Sequence, residues 1–248
     1  MVLLTENTYT MLMVFPVNFL SAYVGFPILI GLAIDFYLRY RKKQTTTSFY
    51  MTFACLLAAF SQMLLALPIL FTTDTKTLSF YAYFADIFLT TSFLFVWLFA
   101  IHALLGTKPK IARFATIFVF LLTIACYVSA FFLNLTPPYS TTVGQTINGS
   151  TTVIFRNSFD YIFLYSLNRI SLLFAGFYLF MQGNNAPTGG QKLRIRSFAT
   201  LIILGVATSA VLPIVEVGVF NLNDLILSSA FLLCGIMAIV GHILDKKK

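Results

Sequence analysis

Charge is what this sequence has least of. Of its 248 residues only 10% are Asp, Glu, Lys or Arg, where a soluble domain carries about 25%. Histidine occurs twice and cysteine three times. Cys55, Cys126 and Cys234 lie inside apolar runs at no metal-ligand spacing, so they are expected to pack as small apolar side chains. His102 has no second histidine or acid three or four residues on, which argues against a metal or catalytic role. No nucleophile–base pair, metal-ligand motif or pair of aspartates on Gly-rich apolar segments is present. Neither enzyme activity nor a cofactor or metal is therefore expected.

What is abundant is apolar surface. Hydrophobic residues make up 59% of the chain and phenylalanine alone accounts for 28 positions, more than a single globular core can hide. A bilayer takes such surface; water does not. The net charge of +8 does not point to nucleic acid, because nearly all the basic residues sit in short loops between apolar runs.

A helix needs roughly 20 apolar residues to cross about 30 Å of hydrocarbon. Seven stretches qualify: Thr10–Leu38, Ser48–Phe71, Leu78–Leu105, Ile111–Leu133, Ser158–Met181, Ser197–Phe220 and Leu222–Leu244. The first lacks a basic leader and runs straight into Arg39-Tyr40-Arg41-Lys42-Lys43, so it reads as a span and not as a cleaved signal. The last two, taken as one helix, would need about 48 continuous residues, far beyond one bilayer. A tight turn at 220–224 is expected instead. The sequence thus predicts an all-α seven-transmembrane-helix bundle, with residues 1–248 forming a single membrane domain.

Orientation follows from lysine and arginine in the short loops. Arg39, Arg41, Lys42 and Lys43 flank the 1–2 connection; Lys108, Lys110 and Arg113 the 3–4; Lys192, Arg194 and Arg196 the 5–6; and Lys246, Lys247 and Lys248 form the tail. That side holds thirteen basic residues, against Lys76 and Arg156 on the other. The asymmetry predicts an outer N-terminus, a cytoplasmic C-terminus and residence in the cell membrane. In the 4–5 loop, Thr142–Ile147 and Ser150–Phe155 are β-prone runs around Asn148-Gly149, which predicts an outer β-hairpin with a type I′ turn. Asn134-Leu135-Thr136 and Asn148-Gly149-Ser150 are glycosylation sequons. Gly183–Gly190 reads as a flexible connector.

The few charges inside the apolar runs are the functional signal, because each costs at least ~2.5–3.5 kcal/mol at the bilayer centre and so faces a partner or a wet cavity. Asp86 lies two turns into helix 3. Asp160 stands near the start of helix 5 and Arg169 near its middle. Glu216 lies one turn from the end of helix 6, beyond a kink expected at Pro213. Asp224 opens helix 7, where its charge suits the helix N-terminus. Helical spacing extends these into stripes: Asp86, Thr90, Phe93 and Trp97 on helix 3, and Tyr161, Tyr165, Arg169 and Leu172 on helix 5, with Asn168 beside Arg169. One expectation is a structural network in which Arg169 pairs with Asp86 or Glu216. The other is an outward-open cavity for a small polar or cationic ligand, built from Asp86, Thr90, Asp160, Tyr165, Arg169, Glu216 and Asp224. Asp35, one turn before Arg39, is expected to form an interfacial ion pair.

Rhodopsin-like G-protein-coupled receptor motifs are missing: helix 3 ends Ile101-His102-Ala103-Leu104-Leu105 with no acid–arginine pair. Part of helix 3, Ala85-Asp86-Ile87-Phe88-Leu89-Thr90-Thr91, resembles the Ala-Asp-x-x-x-Thr-Thr of microbial opsins, where the aspartate is the Schiff-base counter-ion. Helix 7 holds no lysine between Leu222 and Leu244, so retinal cannot be attached as in that family. In topology and composition the chain also looks like the seven-helix sensor regions of prokaryotic signalling proteins. The functional expectation is a receptor- or sensor-like protein whose basic loops meet a cytoplasmic signalling partner. The alternative is a transporter or channel component with an intramembrane ion or proton relay through Asp86, Arg169 and Glu216.

Overall fold

The computed structural model describes residues 20–137, 139, 141–145, 151–155, 159–211 and 222–246, with side chains for 21–137, 139, 163–205 and 226–245. The helices are α1 (Leu20–Lys43), α2 (Thr46–Ala66, extended by a 3-10 turn at Pro68–Leu70), α3 (Thr75–Leu105), α4 (Pro109–Leu135), α5 (Phe159–Asn184), α6 (Gly189–Val211) and α7 (Leu222–Lys246). The expected start of helix 1 at Thr10, the kink at Pro213 and positions 220 and 221 of the expected turn lie outside the described residues, while Leu222, Asn223 and Asp224 open α7.

Each boundary has a local cause. α1 stops where Gln44 turns to φ 49°, and the Gln44 N–H donates back to the Tyr40 carbonyl. A left-handed residue just past the last turn is a common helix stop, though one usually given to glycine. Asp74 caps α3, its Oδ2 accepting from the Thr77 N–H at 2.8 Å. α4 opens with Pro109 in its first turn, where a missing N–H costs nothing. α6 corrects the sequence reading most. It begins at Gly189, eight positions before the expected Ser197, because Thr188 Oγ1 accepts from the Gln191 N–H and caps it. Lys192, Arg194 and Arg196 therefore lie on helix, and the expected connector shrinks to residues 185–188.

Consecutive helices pack side by side, α3 also touches α5, and α1 meets α7 to close the ring. α2 and α3 bury small residues, Ala54, Ala59 and Ser61 on α2 and Ala82, Ala85 and Ser92 on α3. The Ser92 hydroxyl donates to the Ala54 carbonyl at 2.8 Å, a contact that short side chains make possible between closely packed helices. Opposite that seam, α4 buries Val119, Leu122, Thr123, Cys126, Ala130 and Asn134 and exposes Phe114, Ile117, Phe118, Leu121 and Phe132. A helix apolar on its outer face is what lipid contact requires.

Six of the helices (α1 to α5 and α7) are long and apolar enough to cross a membrane. The chain is a multi-pass helical membrane protein. α6, whose side chains are described only over residues 189–205, is not among these six. Between α4 and α5, strand β1 (Thr141–Gln145) pairs antiparallel with β2 (Thr151–Phe155) from Thr141↔Phe155 to Gln145↔Thr151, and β1 runs alongside α3. The expected type I′ turn at Asn148-Gly149 lies outside the described residues.

Candidate functional site

The α1–α2, α3–α4 and α5–α6 connections share one end of the bundle, the basic end. At the opposite end, the Asp86 carboxylate of α3 accepts a 2.9 Å hydrogen bond from Nδ2 of Asn134, in the last turn of α4. The same Nδ2 donates to the Ala130 carbonyl at 3.1 Å. Asn134 is 2% exposed, so this sequon asparagine is committed to the interior, contrary to its sequence reading as a glycosylation site. Asn148 lies outside the described residues.

One turn further along α3 and α5 the polar stripe continues. The Arg169 guanidinium lies over the Tyr165 ring at 4.0 Å from its centroid, and Tyr165 packs on Phe93 at 5.5 Å. Arg169 makes no ion pair with Asp86: among the described residues the ion pairs are Asp35–Arg39 and Arg194–Asp245. Of the two acids expected to pair with Arg169, Asp86 does not and Glu216 lies outside the described residues; the guanidinium makes a cation–π contact with Tyr165. Trp97 Nε1 donates to the Asn168 backbone carbonyl at 3.0 Å, and Ser171 Oγ donates to it at 2.9 Å.

Three side chains near this stripe hold unspent hydrogen-bonding capacity. Ser61 Oγ on α2, Thr90 Oγ1 on α3, and both Nδ2 and Oδ1 of Asn168 on α5 are buried without a partner among the described residues. Asn168 and Ser61 are 0% exposed and Thr90 1%. Each such atom costs about 1–3 kcal/mol, and their helices are neighbours, α2 against α3 and α3 against α5. Of the sequence-chosen residues, Asp86, Thr90, Tyr165 and Arg169 are brought to this α3–α5 region. Glu216 lies outside the described residues, as do the side chains of Asp160 and Asp224.

Below the stripe, toward the basic end, the interior becomes apolar. Val96, Ala175, Leu201, Ile202 and Ala230 belong to one buried cluster contributed by α3, α5, α6 and α7. Past that layer a cavity of about 710 Å³ opens, walled by side chains such as Ile28, Leu32, Met51, Phe99, Phe198 and Ile239. Its polar groups gather at the basic end: the Asp35–Arg39 ion pair at 2.6 Å, Gln182, Arg194 and His242. This cavity lies toward the basic end; in the outer half, where the sequence places a ligand cavity, Glu216 and the side chains of Asp160 and Asp224 lie outside the described residues.

Beside this cavity α6 and α7 are tied together. Arg194 Nη2 meets Asp245 Oδ2 at 2.7 Å, Thr188 Oγ1 donates to Asp245 Oδ1 at 2.6 Å, and Arg194 Nη1 lies 3.3 Å from His242 Nδ1. A carboxylate in the last turn of α7 opposes that helix's dipole but suits the N-terminus of the antiparallel α6, which it reaches. Gly190 and Gly241 allow the approach: a Cβ on Gly241 would fall 2.6 Å from the Gly190 carbonyl oxygen. Sequence reasoning missed Asn134 and this lock. The signal for the lock was available in Asp245, an acid alone among basic residues at a helix C-terminus. No family model matches the chain, and no curated protein matches it in sequence.

Proposed function

We propose that this chain is a receptor- or sensor-like multi-pass protein of the cell membrane that binds a small polar or cationic ligand between α3 and α5. The observation that carries the reading is the set of unpartnered groups on Thr90 and Asn168, buried beside the Arg169–Tyr165 stack and within reach of helices bearing Asp86, Asp160, Glu216 and Asp224. Native interiors rarely keep such groups unsatisfied, and a polar ligand would satisfy them. In this reading the basic end lies in the cytoplasm, by its excess of lysine and arginine, and the polar stripe faces outward beneath the β1–β2 ribbon. Helix 6, hinged near Pro213, passes ligand-induced movement to the basic connections, where a signalling partner docks.

Sensing is favoured over transport by the apolar layer of Val96, Ala175, Leu201, Ile202 and Ala230, which separates the polar stripe from the basic-end cavity. The test is a thermal-shift screen of small polar and cationic compounds on the purified chain, paired with flux of each hit into liposomes. Saturable stabilisation without flux is the expected result. Flux without saturable stabilisation overturns the sensor reading in favour of a transporter with an intramembrane relay.

A further inference from the structure

The basic-end cavity has chemistry of its own, unrelated to the polar stripe. Its walls are apolar and its polar groups sit at one end, so it divides a ligand into a hydrocarbon part and a headgroup. At about 710 Å³ it lies within the roughly 300–1,000 Å³ of sites that enclose one small molecule. It also has a side entrance. α1 and α7 touch closely at Gly25 with Phe231 and at Ile28 with Gly235, but a Cβ on Gly31, one turn on, would meet nothing within 4 Å. Gly31 lines the cavity and is exposed, so the volume communicates with the apolar surround between α1 and α7.

The headgroup end holds two arginines, Arg39 and Arg194. Both acids near it are already matched, Asp35 by Arg39 and Asp245 by Arg194. Arg194 keeps a further donor, since its Nε is buried without a partner, and His242 lines the same wall. Around them the basic end carries thirteen lysines and arginines against those two acids. Arg194 lines the cavity and is mostly buried, at 16% exposure, so an anion reaching its guanidinium meets a partly desolvated cation, where charge-assisted hydrogen bonds are strong.

We infer that this cavity is a binding site for a single-chain anionic amphiphile, its tail against Leu32, Phe99 and Ile239 and its headgroup on Arg194. The shared chemistry is one acyl chain with a carboxylate or phosphate head, delivered either from water as a fatty acid or from the bilayer as a lysophospholipid.

The full chain in nanodiscs is titrated with palmitate, with a lysophosphatidylglycerol of the same chain length, and with hexadecanol, following thermal stabilisation and retention by native mass spectrometry. Saturable binding of at least one anionic probe is expected, and which of the two binds more tightly identifies the source. Hexadecanol is expected to bind at least about tenfold more weakly, the worth of one charge-assisted hydrogen bond. Gly31→Leu grows a side chain at the cavity mouth, where a Cβ meets nothing within 4 Å, and should fold while losing binding. Arg194→Gln and Asp245→Asn both break the α6–α7 lock, but only Arg194→Gln should weaken the anionic probes, again by about tenfold or more. Absence of saturable binding by both anionic probes, unchanged binding in Gly31→Leu, or equal affinity for hexadecanol overturns the inference. So does equal loss in the two lock variants, which would assign the effect to helix packing.

Discussion

The Asp86 carboxylate and the Asn134 amide meet at 2.9 Å, joining α3 to the last turn of α4 at the end of the bundle away from the basic loops. Removing either partner deletes this interhelical bond, while Asn134 Nδ2 keeps its bond to the Ala130 carbonyl. Asp86→Ala and Asn134→Ala should each cost about 1–3 kcal/mol, and their double-mutant cycle should return a coupling of about 0.5–2 kcal/mol. Unfolding of the four proteins in mild detergent measures it, and additive losses would mean that the bond contributes nothing.

The burial of Asn134 also bears on processing. Expressed in a eukaryotic secretory system, the chain should carry no glycan at Asn134, and Asn134→Gln should leave its gel mobility unchanged after deglycosidase treatment. Mass spectrometry of the Asn134 peptide checks this directly.

Gln44 occupies the left-handed region at φ 49°, a conformation that costs a residue with a Cβ about 1–2 kcal/mol and glycine almost none. Gln44→Gly gives back part of this in unfolded-state entropy. A net stabilisation of about 0.5–1 kcal/mol is expected, read as a higher unfolding midpoint.

Asp74, outside the membrane-spanning segments, carries a pH dependence of known sign. Hydrogen bonds from the Thr77 side chain and backbone hold its carboxyl below the usual carboxylate range. A depressed folded-state pKa stabilises the fold at pH above the unfolded value of about 3.9 and loses that contribution as pH falls through the folded value. The stability difference between the wild-type protein and Asp74→Ala should therefore be constant near neutrality and shrink below about pH 4. A difference that grew on acidification would contradict the capping role.

At the α6–α7 lock, Gly241→Ala places a methyl against the Gly190 carbonyl and the Arg194 stem, so it should separate the two helices. Because Arg194 and Asp245 are mostly buried, at 16% and 20% exposure, Asp245→Asn should cost about 1–2 kcal/mol. Cysteine cross-linking between the first turn of α6 and the last turn of α7 should slow in Gly241→Ala and not in Gly205→Ala, where a Cβ has ordinary room.

Hydropathy made the helices legible because lipid imposes a length and an apolar face on each. The seven helical stretches were read within a few residues wherever a loop was polar, as at α3 and α4. At α6 that reading failed, because its first two turns are basic and a cap at Thr188 sets the start. The Asp35–Arg39 pair was legible from four-residue spacing. Asp86–Asn134 and Arg194–Asp245 were not, since each joins residues about fifty positions apart and depends on how helices face one another. The volume beside α1 and α7 was hidden for the same reason: it arises from where two helices diverge past Gly31, which no periodicity records.

The buried hydroxyl of Thr90 and amide of Asn168 offer the most direct test of a ligand site between α3 and α5. Thr90→Val and Asn168→Leu, singly and together, keep side-chain size while deleting the unpartnered polar atoms. Unfolding midpoints are measured for these variants and the wild type, without ligand and with a stabilising compound from the screen. The account predicts that the double variant is at least as stable as the wild type without ligand, because each deleted atom costs about 1–3 kcal/mol when unsatisfied, and that it gains no stabilisation from the compound. A double variant that is less stable without ligand, yet still responds fully to the compound, would contradict it.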